Sequence, residues 1–445
     1  MRPSPKRSRA SLLVVDFWEK LAGASLALSA IIRLCQGTGL SLVAPTVHSS
    51  LFLPAGGFAL STYYDIEAMR AALAPQRLVS HFSWQRLRRR GRNDSSNSTN
   101  SNRSSSLSVA VIYSDFPSAC RGALAQHTLT LECPQACLAA AGLRRLVASA
   151  QQSLGAEVAA HAPLRCVAAA ELRSAIQGHG GRLHTMLSQA TGAVELINFR
   201  RHDAGKPMLP PAQALALRAA AVRPAAEIRA AARRFVAWQL PAAREHGYAV
   251  VQLRSNHLAH AAYVTHGPGA LSDGSSASCQ QHIGACVRRL GRAARRHAPP
   301  SATIVASDLS TLFEAHQDGA SHRRHGYMRE CLLPSLPSLH RWFTTQGRAF
   351  QPNCTAEAEA APVGVVGVAP AASTRSSRPR RGAEQQATQP GCDAGVLGLI
   401  DLVLSTEATA FVAVAVSQPW RSAFLEWIVQ ARRLAGRTQT ELISC

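Results

Sequence analysis

A group of polar residues directly follows a short apolar run in the second half of the chain. Residues Tyr248 to Leu253 follow Gly247 and are apolar apart from Gln252, which is typical of a central strand in a parallel sheet. Arg254 and Asn256 come next, and open α/β sheets bind ligands beyond the carboxyl ends of their strands. A guanidinium presents a planar fork of N–H donors that matches a phosphate. We therefore expect Arg254 and Asn256 to bind the diphosphate of a nucleotide.

Other polar residues lie at the ends of further predicted elements. Residues 302–306 predict a strand that ends close to Asp308. Asp308 could contact a ribose or a base, or it could cap the following helix, and the sequence supports both alternatives. Residues 410–416 predict another strand, which Ser417 follows, and Ser422 begins the last predicted helix. These residues therefore fall where a ligand of a parallel sheet would bind.

The elements that must position these residues alternate between strand and helix, which predicts an α/β fold. A break between Phe199 and Leu209 divides the chain into an N-terminal domain, residues 11–205, and a C-terminal domain, residues 206–445. Two facing α/β domains with a cleft between them would follow. Residues 1–10 look disordered, and the low-complexity segments 86–106 and 355–391 predict disordered insertions.

Two helical features follow from local patterns. Asp65 is a plausible N-cap because it precedes a helical pattern with Glu67 in its first turn. Residues 211–240 predict one amphipathic helix because Ile228, Ala232 and Phe235 share a face.

The charge of the chain is strongly positive, with 48 Lys and Arg against 26 Asp and Glu, a net charge of +22. Such a charge can indicate a nucleic-acid partner. Nearly all of it is arginine in an alanine-rich chain, which resembles a coding bias, and the densest runs, 86–92 and 375–381, fall in segments of simple composition. We therefore expect no nucleic-acid partner.

The cysteines and the targeting signals bear on the compartment in which the protein works. Eleven cysteines cannot all pair within one chain, and Cys133 with Cys137 favours a local disulfide or buried thiols over a zinc site. N-glycosylation triplets begin at Asn93, Asn97, Asn102 and Asn353 and permit a secretory-pathway lumen, the localisation we expect. The longest apolar stretch is too short to span a membrane, and no clear signal or anchor is visible.

The ordered set of these features resembles the GDP-fucose protein O-fucosyltransferase family, in a divergent algal or plant-like form. The resemblance covers roughly residues 11–350 and 395–438. Its pieces in the first half are Phe17-Trp-Glu19, Leu40-Ser-Leu-Val-Ala-Pro45 and Tyr63-Tyr-Asp-Ile66. Its pieces in the second half are Tyr248-Ala-Val-Val-Gln-Leu-Arg254, Ile304-Val-Ala-Ser-Asp308 and Ala410-Phe-Val-Ala-Val-Ala-Val-Ser417.

The resemblance implies a function and a role for each candidate residue. It implies a GT-B-like architecture that transfers fucose from GDP-fucose, or a related nucleotide sugar, to a Ser or Thr hydroxyl of a protein, with inversion and without a metal or other cofactor. The first domain would face the acceptor, and the second would bind the donor. Arg254 would bind the diphosphate and the leaving oxygen, and Asp308 would lie near the nucleoside. Ser417 and Ser422 would contact phosphate, and Glu19 would face the acceptor as a general base.

Several alternatives remain open. Gln252 and Ser307 stand where the family carries His and Thr, so a non-catalytic descendant that binds glycan or protein is the second hypothesis. Arg254 could instead form a salt bridge at the strand end. Glu19 could instead stabilise the N-terminus of a helix through its negative charge, without a catalytic role. A further alternative gives the base role to Asp16. The histidines that follow the strand are expected in a solvated loop, since their irregular spacing argues against a metal site; they are His257, His260 and His266.

Overall fold

The structure is a computed structural model. It describes residues 10–15, 21–45, 60–80, 109–114, 164–190, 193–197, 202–203, 206–266, 276–307, 328–347, 394–415 and 422–445. Of the segments expected to be disordered, 1–10, 86–106 and 355–391, all but residue 10 lie outside the described residues, as do Cys133, Cys137 and the four glycosylation triplets. Ala10 is ordered, since it is buried and its carbonyl accepts the Ser41 amide at 2.9 Å.

The chain divides into two compact units. One comprises Met1–His48 and Gly57–Ala225, and the other comprises Ser49–Gly56 and Ala226–Cys445. The boundary falls after Ala225, whereas the sequence pattern placed it after residue 205. The helix that begins at Pro211 belongs to the first unit because it packs against two helices of that unit.

The first unit contains a parallel sheet with helices, as the strand and helix alternation predicts. Its strands are β1 (Ser11–Val15), β2 (Ser41–Val43), β3 (Leu78–Val79), β4 (Val109–Ser114), β5 (Leu164–Ala168) and β6 (Ala193–Ile197). Its helices are α1 (Leu21–Thr38), α2 (Leu60–Tyr63), α3 (Ile66–Leu73), α4 (Ala169–Gln177), α5 (Arg182–Gln189) and α6 (Pro211–Ala221). The strand order is β3-β2-β1-β6-β4-β5, and every pairing is parallel. A separate two-stranded ribbon joins β7 (His202–Asp203) to β8 (Lys206–Pro207).

The core of the first unit is organised by α1, whose apolar residues are almost fully buried against α4, α5 and α6. Asp65 caps α3 as predicted, because its carboxylate accepts a hydrogen bond from the Ala68 amide at 3.1 Å. The same carboxylate forms an ion pair with Arg223 at 3.1 Å. This contact ties the last residues of the first unit to the start of α3.

The second unit is built on a smaller parallel sheet. Its strands are β9 (Ala249–Leu253), β10 (Thr303–Ser307), β11 (Ala410–Ala415) and β12 (Thr440–Ser444), in the order β10-β9-β11-β12. Its helices are α7 (Ala226–Gln239), α8 (Ala243–His246), α9 (Ser255–His266), α10 (Ser276–His297), α11 (Leu333–Gln346), α12 (Ala394–Glu407) and α13 (Ala423–Leu434). A π-helical turn, Met328–Leu332, precedes α11. All five residues of β9 are buried, as expected for a central strand covered on both faces.

Two expectations from the sequence are wrong. Residues 211–240 form two helices, α6 and α7, rather than one, because Pro224 interrupts the pattern and pairs with Tyr64 in an isolated bridge. The histidines after the key strand lie in helix α9 rather than in a loop.

Arg432 of α13 is fully buried and holds the C-terminal end of α12. Its guanidinium donates hydrogen bonds of 2.7–3.2 Å to the carbonyls of Ser405, Ala408, Thr409 and Gln439 and to the Thr440 hydroxyl. Burial lowers the pKa of Arg432 to about 10, so the side chain is still charged at neutral pH. A cation at this position also interacts favourably with the negative end of the α12 dipole.

Among the described residues, no helix combines the length and apolar character needed to cross a bilayer.

Candidate active site

The candidate site lies at the carboxyl edge of the second sheet. Strands β9, β10 and β11 are parallel, so their carboxyl ends meet at one edge, and Leu253 pairs with Ser307 in register. Arg254 is the first residue beyond β9. Its carbonyl accepts the Leu258 amide at 3.0 Å, which starts helix α9. Arg254 thus stands between a central strand and a helix N-terminus, the position at which open α/β sheets bind ligands.

The Arg254 side chain is half-buried, and not all of its N–H donors have hydrogen-bond partners among the described residues. Its guanidinium carbon lies 5.3 Å from the centroid of the Phe424 ring, within the range of a cation–π interaction. Its Nε is buried and has no hydrogen-bond partner among the described residues, and no carboxylate of those residues lies within ion-pair distance. A salt bridge at the strand end, the alternative reading of this arginine, is thus not formed within the described part of the chain. The geometry leaves donors available to an anion.

The N-terminus of α13 lies beside this arginine, since Phe424 belongs to the first turn of that helix. Ser422 is the N-cap, and its hydroxyl oxygen accepts the Leu425 amide at 3.3 Å. The same residue's carbonyl accepts the Glu426 amide at 3.0 Å. Ser422 therefore fixes the start of the helix, and the positive end of the α13 dipole is placed close to Arg254.

Asp401 is the acidic residue that interacts with Arg254. It lies on α12, in an otherwise apolar stretch of that helix. Burial raises the pKa of Asp401 to about 7, and the positive charge of Arg254 opposes this rise. The carboxyl is consequently only partly ionised near neutral pH, so it leaves much of the Arg254 charge uncompensated.

Gln252 is the fourth residue of β9 and precedes Arg254 by two residues. The side chain is buried, and its Oε1 has no hydrogen-bond partner in the described part of the chain. A buried amide oxygen without a partner costs free energy of about 1–3 kcal/mol unless a ligand or water satisfies it. Gln252 is therefore a second polar group at this edge that can accept a donor.

The other candidate residues are only partly located. The backbone of Asn256 lies in the first turn of α9. Glu19, Asp308, Ser417 and Asp16 lie outside the described residues. His257 and His260 are half-buried on α9. Among the described residues, no group of three or more His, Cys, Asp or Glu side chains is placed to hold a metal ion.

Sequence reasoning missed Phe424 and Asp401 as members of the site. Both are distant from Arg254 along the chain and come near it through the packing of α12 against β9 and of α13 against α12. The signal for Asp401 was present, because a single acid interrupts the apolar run from Val396 to Leu404. Such a residue must be buried, neutralised or placed next to a positive charge.

These features define an α/β protein whose second unit carries an arginine with a donor unpaired among the described residues, beside a helix N-terminus, at the carboxyl edge of a parallel sheet. No protein-family model matches the sequence, and no curated protein matches it either.

Crystal structures of POFUT1 are similar to the chain as a whole. The structure of POFUT1 in complex with GDP is 9% identical, and the match covers 98% of this chain and 99% of that chain with a TM-score of 0.45. The apo form is also 9% identical, with 99% of each chain covered and a TM-score of 0.45. The complex with GDP-fucose is 10% identical, with 97% and 98% covered and a TM-score of 0.44.

Proposed function

We propose that this protein is a glycosyltransferase that moves fucose from GDP-fucose to a Ser or Thr hydroxyl of a protein, with inversion and without a metal. The observation that carries the proposal is the position of Arg254, directly beyond a fully buried central strand, with a free Nε and its guanidinium over Phe424. A diphosphate placed there would also meet the N-terminus of α13.

The chemistry requires stabilisation of a leaving group. The bond between sugar C1 and the β-phosphate oxygen breaks while the acceptor oxygen attacks C1 from the opposite face, and negative charge develops on the departing GDP. Arg254 would stabilise that charge in a site sheltered from water. Removing one such donor typically lowers the rate by about 10²–10³-fold.

The remaining roles follow from the family resemblance of the sequence. Glu19 would accept the proton of the acceptor hydroxyl, and Asp308 would bind the nucleoside. Ser417 would bind phosphate, and Asn256 would do so because of its position just beyond β9 rather than because of the resemblance. Ser422 would act through the helix that it caps, since its hydroxyl already accepts the Leu425 amide.

A secretory-pathway lumen is the proposed location. Cys279 is bonded to Cys331, and Cys286 is bonded to Cys445. Disulfides form and persist in oxidising compartments and are rare in the cytosol.

A non-catalytic descendant of the same fold is the second candidate, and Gln252 favours it. The family resemblance places a His at this position, and the buried amide changes the group that would meet the donor beside Arg254. Such a protein would bind glycan or protein without transferring sugar.

A transfer assay separates the two candidates. The purified protein is incubated with radiolabelled GDP-fucose and a panel of secreted proteins in EDTA, and protein-bound label is counted for the wild type and for Arg254→Ala. Label that depends on Arg254 supports the transferase. Absence of both label and GDP release from a folded wild type that binds GDP would establish the non-catalytic alternative.

A further inference from the structure

Helix α10 carries a dense positive charge that the proposed transferase site does not use. Its 22 residues contain no Asp or Glu. Five exposed arginines lie in its second half, and we call them the α10 arginine stripe: Arg288, Arg289, Arg292, Arg295 and Arg296. The arginine-rich runs 86–92 and 375–381 lie outside the described residues, whereas this group lies on a described helix.

The five arginines share one face of the helix. At 100° per residue they fall within an arc of roughly 120°, and the span from Arg288 to Arg296 is about 12 Å along the axis. The buried residues Ile283, Leu290 and Ala294 lie on the opposite face, in the core of the second unit. Because disulfides attach Cys279 and Cys286 of that buried face to other parts of the unit, the stripe stands on a rigid support.

Few acidic groups among the described residues neutralise the positive charge of the α10 arginine stripe. Arg296 forms an ion pair with Glu441, and Arg295 donates to the neutral Gln346 amide oxygen at 2.9 Å. The first three arginines of the stripe have no carboxylate within ion-pair distance among the described residues. Arg223 and Arg233, by contrast, pair with Asp65 and Glu407. The stripe therefore presents a local excess of positive charge.

We propose that the α10 arginine stripe binds a linear polyanionic polysaccharide that carries sulfate or carboxylate groups. A row of guanidinium forks along one helix axis matches a chain of evenly spaced anions, and each fork can bind one anion through two hydrogen bonds. The other exposed residues in the same arc of the helix, Gln281 and Ala285, include no large apolar side chain, unlike a surface that inserts into a membrane. In the oxidising compartment that we propose from the two disulfides, anionic glycans rather than nucleic acids are the common polyanions.

The test uses the full-length oxidised protein and a size-defined heparin oligosaccharide as the probe. Binding is measured by fluorescence anisotropy between 50 and 300 mM NaCl for the wild type and the triple variant Arg288→Gln, Arg289→Gln, Arg292→Gln. The control variant Arg77→Gln, Arg234→Gln, Arg433→Gln removes the same charge from three exposed arginines on separate elements. GDP binding to all three proteins is measured in parallel, because the stripe is not part of the donor site.

The expected result is wild-type heparin affinity in the control and a loss of about tenfold or more in the stripe variant at 150 mM salt. The slope of log Kd against log salt concentration should fall by about 2 to 3 in the stripe variant, since counterion release follows the number of ionic contacts. Equal losses in both triple variants would overturn the proposal, because binding would then follow net charge alone. Tighter binding of duplex DNA or anionic vesicles than of heparin would assign the stripe to one of those partners instead.

Discussion

The guanidinium of Arg254 lies over the ring of Phe424, with 5.3 Å between the guanidinium carbon and the ring centroid. Arg254 directly follows the central strand β9, and Phe424 lies in the first turn of the helix that follows the neighbouring strand β11. The stack orients the guanidinium without occupying its N–H donors. An arginine held in this way is pre-organised for an anion, which reduces the entropy lost on binding.

Replacing Phe424 with Leu should weaken donor binding without unfolding the protein. The cation–π contact is worth about 0.5–1 kcal/mol at a partly exposed site, which corresponds to a loss of roughly two- to fivefold in GDP affinity. Phe424→Tyr keeps the ring and is the matched control. If both variants bind GDP equally, the stack does not orient Arg254.

The buried carboxyl of Asp401 should make stability depend on pH. The pKa of Asp401 is raised by burial to about 7 in the folded protein, from an ordinary value near 4. Its contribution is therefore fully present below about pH 4 and is lost as pH rises towards 7, because only the unfolded carboxyl ionises in that window. The cost at pH 8 is roughly 4 kcal/mol at most.

Asp401→Asn removes this ionisation, so the variant should gain stability relative to the wild type as pH rises from 4 to 7. Urea unfolding of both proteins at pH 4, 5.5 and 8 measures the difference. Parallel stability curves over that range would show that Asp401 titrates normally.

Arg432→Met should destabilise the second unit strongly. The substitution removes the donor from two buried carbonyls, those of Ser405 and Ala408, and from three partly buried acceptors, the carbonyls of Thr409 and Gln439 and the Thr440 hydroxyl. Each unsatisfied buried group costs about 1–3 kcal/mol, so we expect a total loss of at least about 3 kcal/mol by urea unfolding. The neighbouring Arg433 is exposed, and Arg433→Met should change stability by no more than about 0.5 kcal/mol. Similar losses in both variants would contradict the role given to Arg432.

Gly247→Ala should destabilise the protein more than Gly436→Ala. Both glycines have positive φ, 74° and 68°, so each substitution carries a backbone strain of about 1–2 kcal/mol. A Cβ at Gly247 would lie 1.9 Å from Thr409 Oγ1, whereas a Cβ at Gly436 meets nothing within 4 Å. The clash should add about 1–3 kcal/mol to the loss at Gly247. Equal thermal unfolding temperatures for the two variants would show that Thr409 moves aside without cost.

The sequence predicts three of the four strands of the second sheet, β9, β10 and β11, because they are locally encoded, whereas β12 was not predicted. The apolar runs of these three strands are short and lie between helical patterns. The sequence therefore predicts that Arg254 directly follows a strand. Helix α9 was missed because its polar residues Ser255, Asn256 and His257 come first and its apolar pattern is weak. The partnership of Arg254 with Phe424 and Asp401 depends on packing between residues more than 140 positions apart, which local patterns do not encode.

The pairing of the cysteines is likewise not encoded in local sequence patterns. Spacing alone singled out Cys133 and Cys137, yet the described disulfides join Cys279 to Cys331 and Cys286 to Cys445. The connectivity of several cysteines cannot be deduced from their spacing. It is set here by the packing of α10, whose buried face brings two cysteines seven residues apart towards distant partners.

The most direct test of the central claim is calorimetric titration of the protein with GDP and with GDP-fucose, for the wild type, Arg254→Ala and the exposed-arginine control Arg433→Ala. Circular dichroism establishes that all three are folded. We expect micromolar binding by the wild type and the control, at roughly −8 kcal/mol, and no measurable binding by Arg254→Ala. Unchanged GDP-fucose affinity in folded Arg254→Ala would contradict the assignment of the donor site to the carboxyl end of β9.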